Sequence, residues 1–273
     1  MLTAPKKIAV INDISGYGRC ALTVALPIIS AMGLQCCPVP TSIFSNHTAY
    51  PTFFFDDYTD RMPSYIAKWK ELGFTFDGIL TGFLGSAAQI DIVEQFFREF
   101  GNTGAKIIID PIMGDHGTTY ATYTPEMCER MKQLITHADL ITPNLTEACI
   151  LTDTSYREHF SRKELTEIII KLAKRCHGSI VISGIDAGSY LCNAIYEPGC
   201  EILWQKRKRV AAERCGTGDV FSSILAAEAV QNKPLLPAVK KASAFVSRCL
   251  AETSQCSTDK NEGVYFEPLL RFL

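Results

Sequence analysis

The sequence predicts an α/β fold: a single three-layer domain whose mainly parallel central sheet is flanked by helices. Three observations predict it. Short apolar runs alternate with amphipathic stretches along most of the chain, the βα pattern of a parallel sheet covered by helices. Length and composition, 273 residues with 47% hydrophobic and 21% charged side chains, suit one large globular domain. Finally, no low-complexity linker and no internal repeat divides the chain.

Taken in order, buried strands are expected at KIAVI (7 to 11), QCCPVP (35 to 40), GILTG (78 to 82), KIIID (106 to 110), ADLITP (138 to 143) and SIVISG (179 to 184). Helices are expected between them at 20 to 32, 61 to 73, 87 to 100, 125 to 137 and 162 to 177. SYLCNAIY and EILWQKRKRV read as a pair of strands about Pro198-Gly199, followed by helices at 216 to 231 and 235 to 252.

Charge and cysteine usage exclude several classes. A formal net charge of −2 leaves no electrostatic footprint for nucleic acid or an anionic membrane, and the short cluster Lys206-Arg-Lys-Arg209 reads as a solvated strand face. No run of 18 apolar residues and no leader pattern occurs, so a cytoplasmic protein is expected. The eleven cysteines are odd in number and irregular in spacing, without any C-x-x-C, and read as reduced, mostly buried thiols.

The stretch Cys215-Gly-Thr-Gly-Asp-Val-Phe-Ser-Ser223 carries the chemistry. Apolar positions Val220, Ile224 and Ala227 recur at helical spacing, so a helix begins near Gly216. The first N–H groups of a helix have no internal partners and its dipole presents a positive end, so Gly216, Thr217 and Gly218 form a place where an anion can approach the backbone. Asp219 could cap or complement the dipole. It could equally take a proton from an attacking hydroxyl, which suits phosphoryl transfer.

Ligands of such a sheet gather at the carboxyl ends of the strands, where other polar signals fall. After KIIID comes Pro111-Ile-Met-Gly-Asp-His-Gly-Thr-Thr-Tyr120, either a mobile cover or a plain surface loop. After ADLIT, Asn144 and Glu147 lie three apart, a spacing that serves either a capping box or an oxygen pair for Mg²⁺. After SIVISG, Ser183 and Gly184 offer a hydroxyl and an open amide.

With these residues in place the chain resembles the ribokinase-like superfamily of small-molecule kinases, and within it the pyridoxal (vitamin B6) kinases. The resemblance runs through Asp110-Pro-Ile-Met-Gly-Asp115 with Tyr120, Ile141-Thr-Pro-Asn-Leu-Thr-Glu147 and Gly216-Thr-Gly-Asp219, all in family order. Ser45-Asn-His-Thr48 is the most discriminating segment, because it looks like the vitamin-binding run of pyridoxal kinases. Ser15-Gly-Tyr-Gly18 is similar to the family's opening turn.

The resemblance implies an ATP-dependent phosphotransferase that phosphorylates the 5′-hydroxymethyl group of a B6 vitamer. It makes Asp219 the base and the amides of Gly216 to Gly218 the anion hole. Asn144 and Glu147 would organise Mg²⁺, with Asp110 near metal and phosphates. Asp115 and Tyr120 would belong to the loop closing over ATP, and Ser183 would lie near the phosphates and a monovalent cation such as K⁺. Asn46 and Thr48 would face the pyridine ring, with Tyr17, Tyr50, Ser15 and Phe83 as further contacts. A homodimer is implied as well. Asp13 departs from the serine that many pyridoxal kinases carry there, which leaves the preferred vitamer open. Cys215 reads either as auxiliary to the anion hole or as merely small and buried, with some thiolate character expected from its place at a helix N-terminus.

Two other readings stand beside this one. A kinase of the thiamin hydroxymethyl pyrimidine shares everything except the Ser45-Asn-His-Thr48 segment. A non-catalytic nucleotide- or pyridoxal-phosphate-binding protein would have little use for Asp219 and Glu147. A dinucleotide oxidoreductase fails, because no G-x-G-x-x-G follows the first strand.

Overall fold

The computed structural model describes residues 4–273. Nine strands form one sheet in the order β11-β10-β9-β8-β5-β4-β1-β2-β3. Its centre is parallel: β1 (Lys7–Tyr17) pairs with β2 (Gln35–Asn46) and with β4 (Gly78–Thr81), and pairing continues through β5 (Lys106–Ile109) and β8 (Leu140–Ile141) to β9 (Ser179–Ala187). The edges are antiparallel. On one side lie β10 (Tyr190–Tyr196) and β11 (Leu203–Lys208), on the other β3 (Phe55–Asp57).

Successive strand residues point to opposite faces, so each central strand feeds two cores. Ala9, Ile11, Ile79, Ile109, Ile141 and Ile180 pack beneath α2 (Met62–Glu71), α3 (Ala87–Phe100), α4 (Pro125–Leu134), α5 (Leu145–Leu151) and α6 (Arg162–Ala173). Their neighbours Ile8, Val10, Leu80, Ile108, Leu140 and Val181 pack beneath α1 (Ala21–Ala31), α7 (Thr217–Val230) and α8 (Leu235–Thr253). Helix, sheet and helix make the three expected layers. This double burial is why the strands read as unbroken apolar runs.

The sequence reading needs correction at four places. Strands expected to end at 11 and 40 continue to Tyr17 and Asn46: after a register shift between Asn12 and Ile14 the two remain paired, Ile14 with Ile43 and Tyr17 with Asn46. Ser15-Gly-Tyr-Gly18 is therefore largely extended strand rather than a turn. The polar composition of that extension hid it, because backbone pairing needs no apolar side chain. The short edge strand β3 was not anticipated. The segment after β5 is no plain loop but carries a small hairpin of β6 (Gly114–Asp115) and β7 (Thr118–Thr119), too short for any periodicity. The strand expected over 138 to 143 pairs only at Leu140–Ile141. No helix among the described residues is long and apolar enough to cross a membrane.

Candidate active site

The sheet alone gathers most of the expected residues. Parallel pairing ends with Ile11 beside Thr81, Thr81 beside Ile109, Ile109 beside Ile141 and Ile141 beside Ile180. Just past that line, in spatial order, come Ser183, Asn144, Asp110, Phe83 and Asp13, with Asn46 at the end of β2. The connections of β1 and β4 leave toward opposite sides of the sheet, which puts a topological switch point, the usual ligand crevice, between those two strands.

Helix α7 aims its N-terminus at this edge. Its N-cap is Gly216, with φ +81°, and no side chain caps it. The Thr217 hydroxyl turns back to the Arg214 carbonyl at 3.1 Å. The first amides are thus left for a ligand, the arrangement that binds anions. Gly216 is required twice over: its φ lies in the left-handed region, and a Cβ there would sit 2.0 Å from the Arg19 carbonyl oxygen.

Asp219 lies in the first turn of α7, deep among protein atoms yet with an open face. Burial pushes its carboxyl up to about 7, and the negative charges of Cys215 and Asp13 push the same way. The Ala21 backbone amide and the Asn12 side chain, hydrogen-bonded to it, pull against that rise. Asn12 also receives the Phe83 N–H at 2.8 Å and the Asp13 N–H at 3.0 Å, so one amide ties β1, β4 and Asp219 together. Burial raises Asp13 to about 6, opposed by the Ser15 hydroxyl that donates to it at 2.9 Å. Ser15, expected at the vitamin ring, is committed to Asp13.

Asn144 and Glu147 do form a capping box at the start of α5. Glu147 Oε2 accepts from the Asn144 N–H at 2.8 Å and Oε1 from the Met113 N–H at 3.0 Å, while the Asn144 amide donates to the Gly114 carbonyl at 2.8 Å. The pair therefore anchors the β6–β7 hairpin as well as the helix. Gly117 N–H, at the hairpin tip, donates to Thr146 at 2.9 Å. Asp115 accepts from the His116 N–H, and Tyr120, half-exposed, bonds back to the Met113 carbonyl. Ser183 is bridged to Asn144, its N–H donating to the Pro143 carbonyl at 2.9 Å.

Among the described residues no group of three or more His, Cys, Asp or Glu is arranged to hold a metal ion jointly. The charges nonetheless fit a hydrated divalent cation, which needs only one or two protein oxygens. Burial and then the charges of Glu147 and Asp219 push Asp110 well above the usual carboxylate range, and burial takes Glu147 to about 7. These are hard oxygen donors whose like charges lack a cationic partner. The consequence for stability has a definite sign. Asp13, Glu147 and Asp219 have raised folded-state values, so these three carboxyls hold more protons in the folded than in the unfolded chain between about pH 4 and about pH 7 and cost stability as pH rises through that window, outweighing the opposite contribution of the lowered Cys215 thiol. The melting temperature should be lower at about pH 8 than at about pH 5.5, and Mg²⁺ should recover more of it at the higher pH. Scanning calorimetry checks this; a melting temperature that rises from pH 5.5 to 8 would count against the uncompensated cluster.

On the other side of β1 the turn after β2 carries the Ser45-Asn-His-Thr48 segment. Tyr17, Asn46, Tyr50, Pro51 and Thr52 line a cavity of about 310 Å³, within the range of small-molecule sites. The Tyr17 and Tyr50 rings meet edge-on at 5.9 Å, and the buried Tyr50 hydroxyl has no hydrogen-bond partner. Asn46 spends its amide on the Thr52 carbonyl at 2.9 Å, and Thr48 is exposed outside the cavity lining. The Phe83 ring meets the Phe44 ring edge-on at 6.0 Å. Behind it, the Cys20 side chain and then the His47 imidazole draw the Cys215 thiol down to about 5. His47 in turn donates from Nε2 to the Asn261 carbonyl at 2.6 Å.

Sequence reasoning missed Asn12, Cys20 and His47. Asn12 stood beside the chosen Asp13, and its value lies in bonds to strands 70 residues away. His47 was inside the quoted segment, but its contacts come from the opposite end of the chain.

A parallel sheet with an open helix N-terminus and buried acids along its carboxyl edge is the architecture of the ribokinase-like kinases, and solved structures agree. A Bacteroides thetaiotaomicron protein provisionally described as a phosphomethylpyrimidine kinase, crystallised with pyridoxal, superposes with a TM-score of 0.94 at 38% identity over 98% of this chain and 96% of that one. Pyridoxal kinase from Lactobacillus plantarum matches at 0.92 and 28% identity, over 98% and 96%. Among curated proteins, the hydroxymethylpyrimidine/phosphomethylpyrimidine kinase of Haemophilus influenzae is 27% identical over 177 residues, 62% of this chain and 63% of that one. The chain spans 46% to 63% of the length of several such relatives. The phosphomethylpyrimidine kinase model matches residues 26–264, and the chain belongs to that family.

Proposed function

We propose that this chain is one kinase domain that transfers the γ-phosphoryl group of ATP to the 5′-hydroxymethyl group of a B6 vitamer. The observation that carries the reading is Asp219: a carboxylate held near 7 by burial, in the first turn of a helix whose first amides are open. A base of that affinity takes a proton near neutral pH without holding it too weakly. Asp219 accepts the hydroxymethyl proton as the oxygen attacks phosphorus, and the amides of Thr217 and Gly218 hold the transferring oxygens. Asp110 and Glu147 would hold Mg²⁺ through its waters, and that ion supplies neutralisation of phosphate charge. The β6–β7 hairpin with Asp115 and Tyr120 covers the nucleotide side, beside Asn144 and Ser183, where a K⁺ ion would also sit. On the same reading the enzyme is a cytoplasmic homodimer.

The vitamer side is supported by the cavity at Tyr17, Asn46 and Tyr50 and by the pyridoxal-containing Bacteroides relative. Asp13, at about 6, is placed to exchange a proton with a ring nitrogen or to attract the amine of pyridoxamine. Comparing pyridoxamine with pyridoxal in Asp13→Ser separates those two roles.

Phosphorylation of the hydroxymethyl pyrimidine is the second reading, favoured by the family match and the Haemophilus relative. Polar groups decide between them, because a buried group left unpaired by the wrong ring costs about 1 to 3 kcal/mol. ADP release with Mg-ATP and each of pyridoxal, pyridoxamine, pyridoxine and the pyrimidine should show a B6 vitamer preferred by roughly tenfold or more in kcat/KM. Thr48→Val, a change at an exposed residue outside the cavity lining, should leave the vitamer's KM nearly unchanged. A preference for the pyrimidine would install the second reading instead, and no ADP release with any of the four would point to a non-catalytic binding protein.

A further inference from the structure

His47 belongs to the turn that carries the acceptor cavity, yet it is buried and stands outside the lining of that cavity. Its ring makes two hydrogen bonds of opposite sense. Nε2 lies 2.6 Å from the Asn261 carbonyl oxygen, 214 residues away in the chain, and Nδ1 lies 3.3 Å from the Ala49 backbone nitrogen. A carbonyl oxygen can only accept and a backbone N–H can only donate, so the proton sits on Nε2 and Nδ1 is bare. No other state of the ring serves both partners. The other tautomer would turn a lone pair on the carbonyl, and the doubly protonated ring would set its Nδ1–H against the Ala49 N–H.

The two bonds join distant parts of the fold. Asn261 lies in the short 3₁₀ turn Lys260–Glu262, which is itself tied down: the Asp259 carboxylate accepts the Asn261 N–H at 2.8 Å, and the Glu262 carbonyl accepts the Arg19 N–H at 3.2 Å. Just beyond, Val264 N–H donates to the Cys215 carbonyl at 3.0 Å. On its other side His47 holds Tyr50. Its carbonyl accepts the Tyr50 N–H at 3.2 Å, and the two rings lie 4.9 Å apart. Tyr50 is a wall of the cavity and meets Tyr17, a second wall, edge-on. Gly18 lets the imidazole sit flush against the end of β1, because a Cβ there would stand 2.7 Å from Cδ2 and 3.0 Å from Nε2.

We propose that His47 is a positioning residue for the phosphoryl acceptor: its neutral imidazole, protonated on Nε2, clamps the 47 to 50 turn to the 259 to 264 segment and so fixes the Tyr50 wall of the cavity. The imidazole lines no part of the cavity and transfers no proton in the reaction. It acts through Tyr50, so its removal weakens binding of the acceptor while the chemical step and the nucleotide are spared. That effect on catalysis rests on the proposed function; the clamp itself does not.

Two measurements on the full-length protein test this role. The first is nitrogen NMR of histidine-labelled protein, taken in alkaline buffer because the Cys215 side chain draws the proton affinity of the ring upward. It should show His47, identified by the signal lost in His47→Gln, protonated on Nε2 and bare on Nδ1, and the Ala49 amide should exchange slowly with solvent. The second is steady-state kinetics. His47→Ala should raise the acceptor's KM by about five- to tenfold, the worth of roughly one lost buried hydrogen bond, with kcat and the KM for ATP unchanged. His47→Gln, whose amide nitrogen reaches the place of Nε2, should regain most of that loss. His47→Asn, whose amide oxygen stands in for Nδ1, should keep the Ala49 amide protected and regain little. A proton on Nδ1, a fast-exchanging Ala49 amide in the wild type, or a folded His47→Ala protein with an unchanged acceptor KM overturns the proposal, and so does an equal rise in the KM for ATP. A wild-type protein that phosphorylates no acceptor strikes the functional reading alone, and the ring proton with the Ala49 amide then decides the clamp.

Discussion

Asp219→Asn should lower turnover by about 10² to 10⁴ while leaving ATP affinity nearly unchanged, because general-base catalysis is worth that much and the nucleotide is held elsewhere. Asparagine keeps the size of the side chain and one oxygen to accept the Ala21 and Asn12 bonds. What is lost is the proton acceptor. The wild-type profile of kcat/KM should rise with pH through about 7, the value at which burial leaves this carboxyl, and the residual activity of the variant should lack that limb. Initial rates across pH, with nucleotide binding by calorimetry, measure both. Turnover like wild type would remove Asp219 from the chemistry and leave it as a helix-dipole partner.

Gly216→Ala should have the largest effect on the folded protein. Its left-handed φ of +81° costs a residue with a Cβ about 1 to 2 kcal/mol, and that Cβ would stand 2.0 Å from a backbone oxygen, which no side-chain rotation relieves. The Arg19–Cys20 segment must move, so a total loss of about 3 kcal/mol or more is expected, together with activity. Gly218→Ala is the control. A Cβ there meets nothing within 4 Å, so its denaturation midpoint should stay near wild type while phosphate approach is hindered. Equal midpoints for all three proteins would show that the Gly216 turn can relax without cost.

How much of this was legible from the sequence follows physical lines. The layers were legible because double burial writes itself as apolar runs such as KIAVI and SIVISG. The open helix N-terminus was legible because two glycines before a helix carry a local meaning. The capping box at Asn144 and Glu147 was equally local, and both its roles were visible. What stayed hidden depends on distant partners: the paired extension of β1 and β2, which polar residues disguise; Asn12, which matters only once β4 lies beside it; and the company Cys215 keeps with Cys20 and His47. Ser15, Asn46 and Thr48 sit at or near the expected edge, but which of their atoms are free for a ligand is decided by Asp13 and by the Thr52 carbonyl, neither of which a spacing rule can weigh.

The switch point between β1 and β4 has a consequence for how such a chain can diverge. Apart from the α7 amides, the groups that would grip the nucleotide descend from β5, β8 and β9, and those that would line the acceptor cavity from β1 and the end of β2, with the Asn12 amide as a shared hinge pin. Mutations in the 41 to 52 stretch can therefore explore new acceptors without disturbing the phosphate donor. Two vitamin chemistries could thus arise within one lineage by drift on one flank of the sheet, the opposite flank acting as an inherited engine.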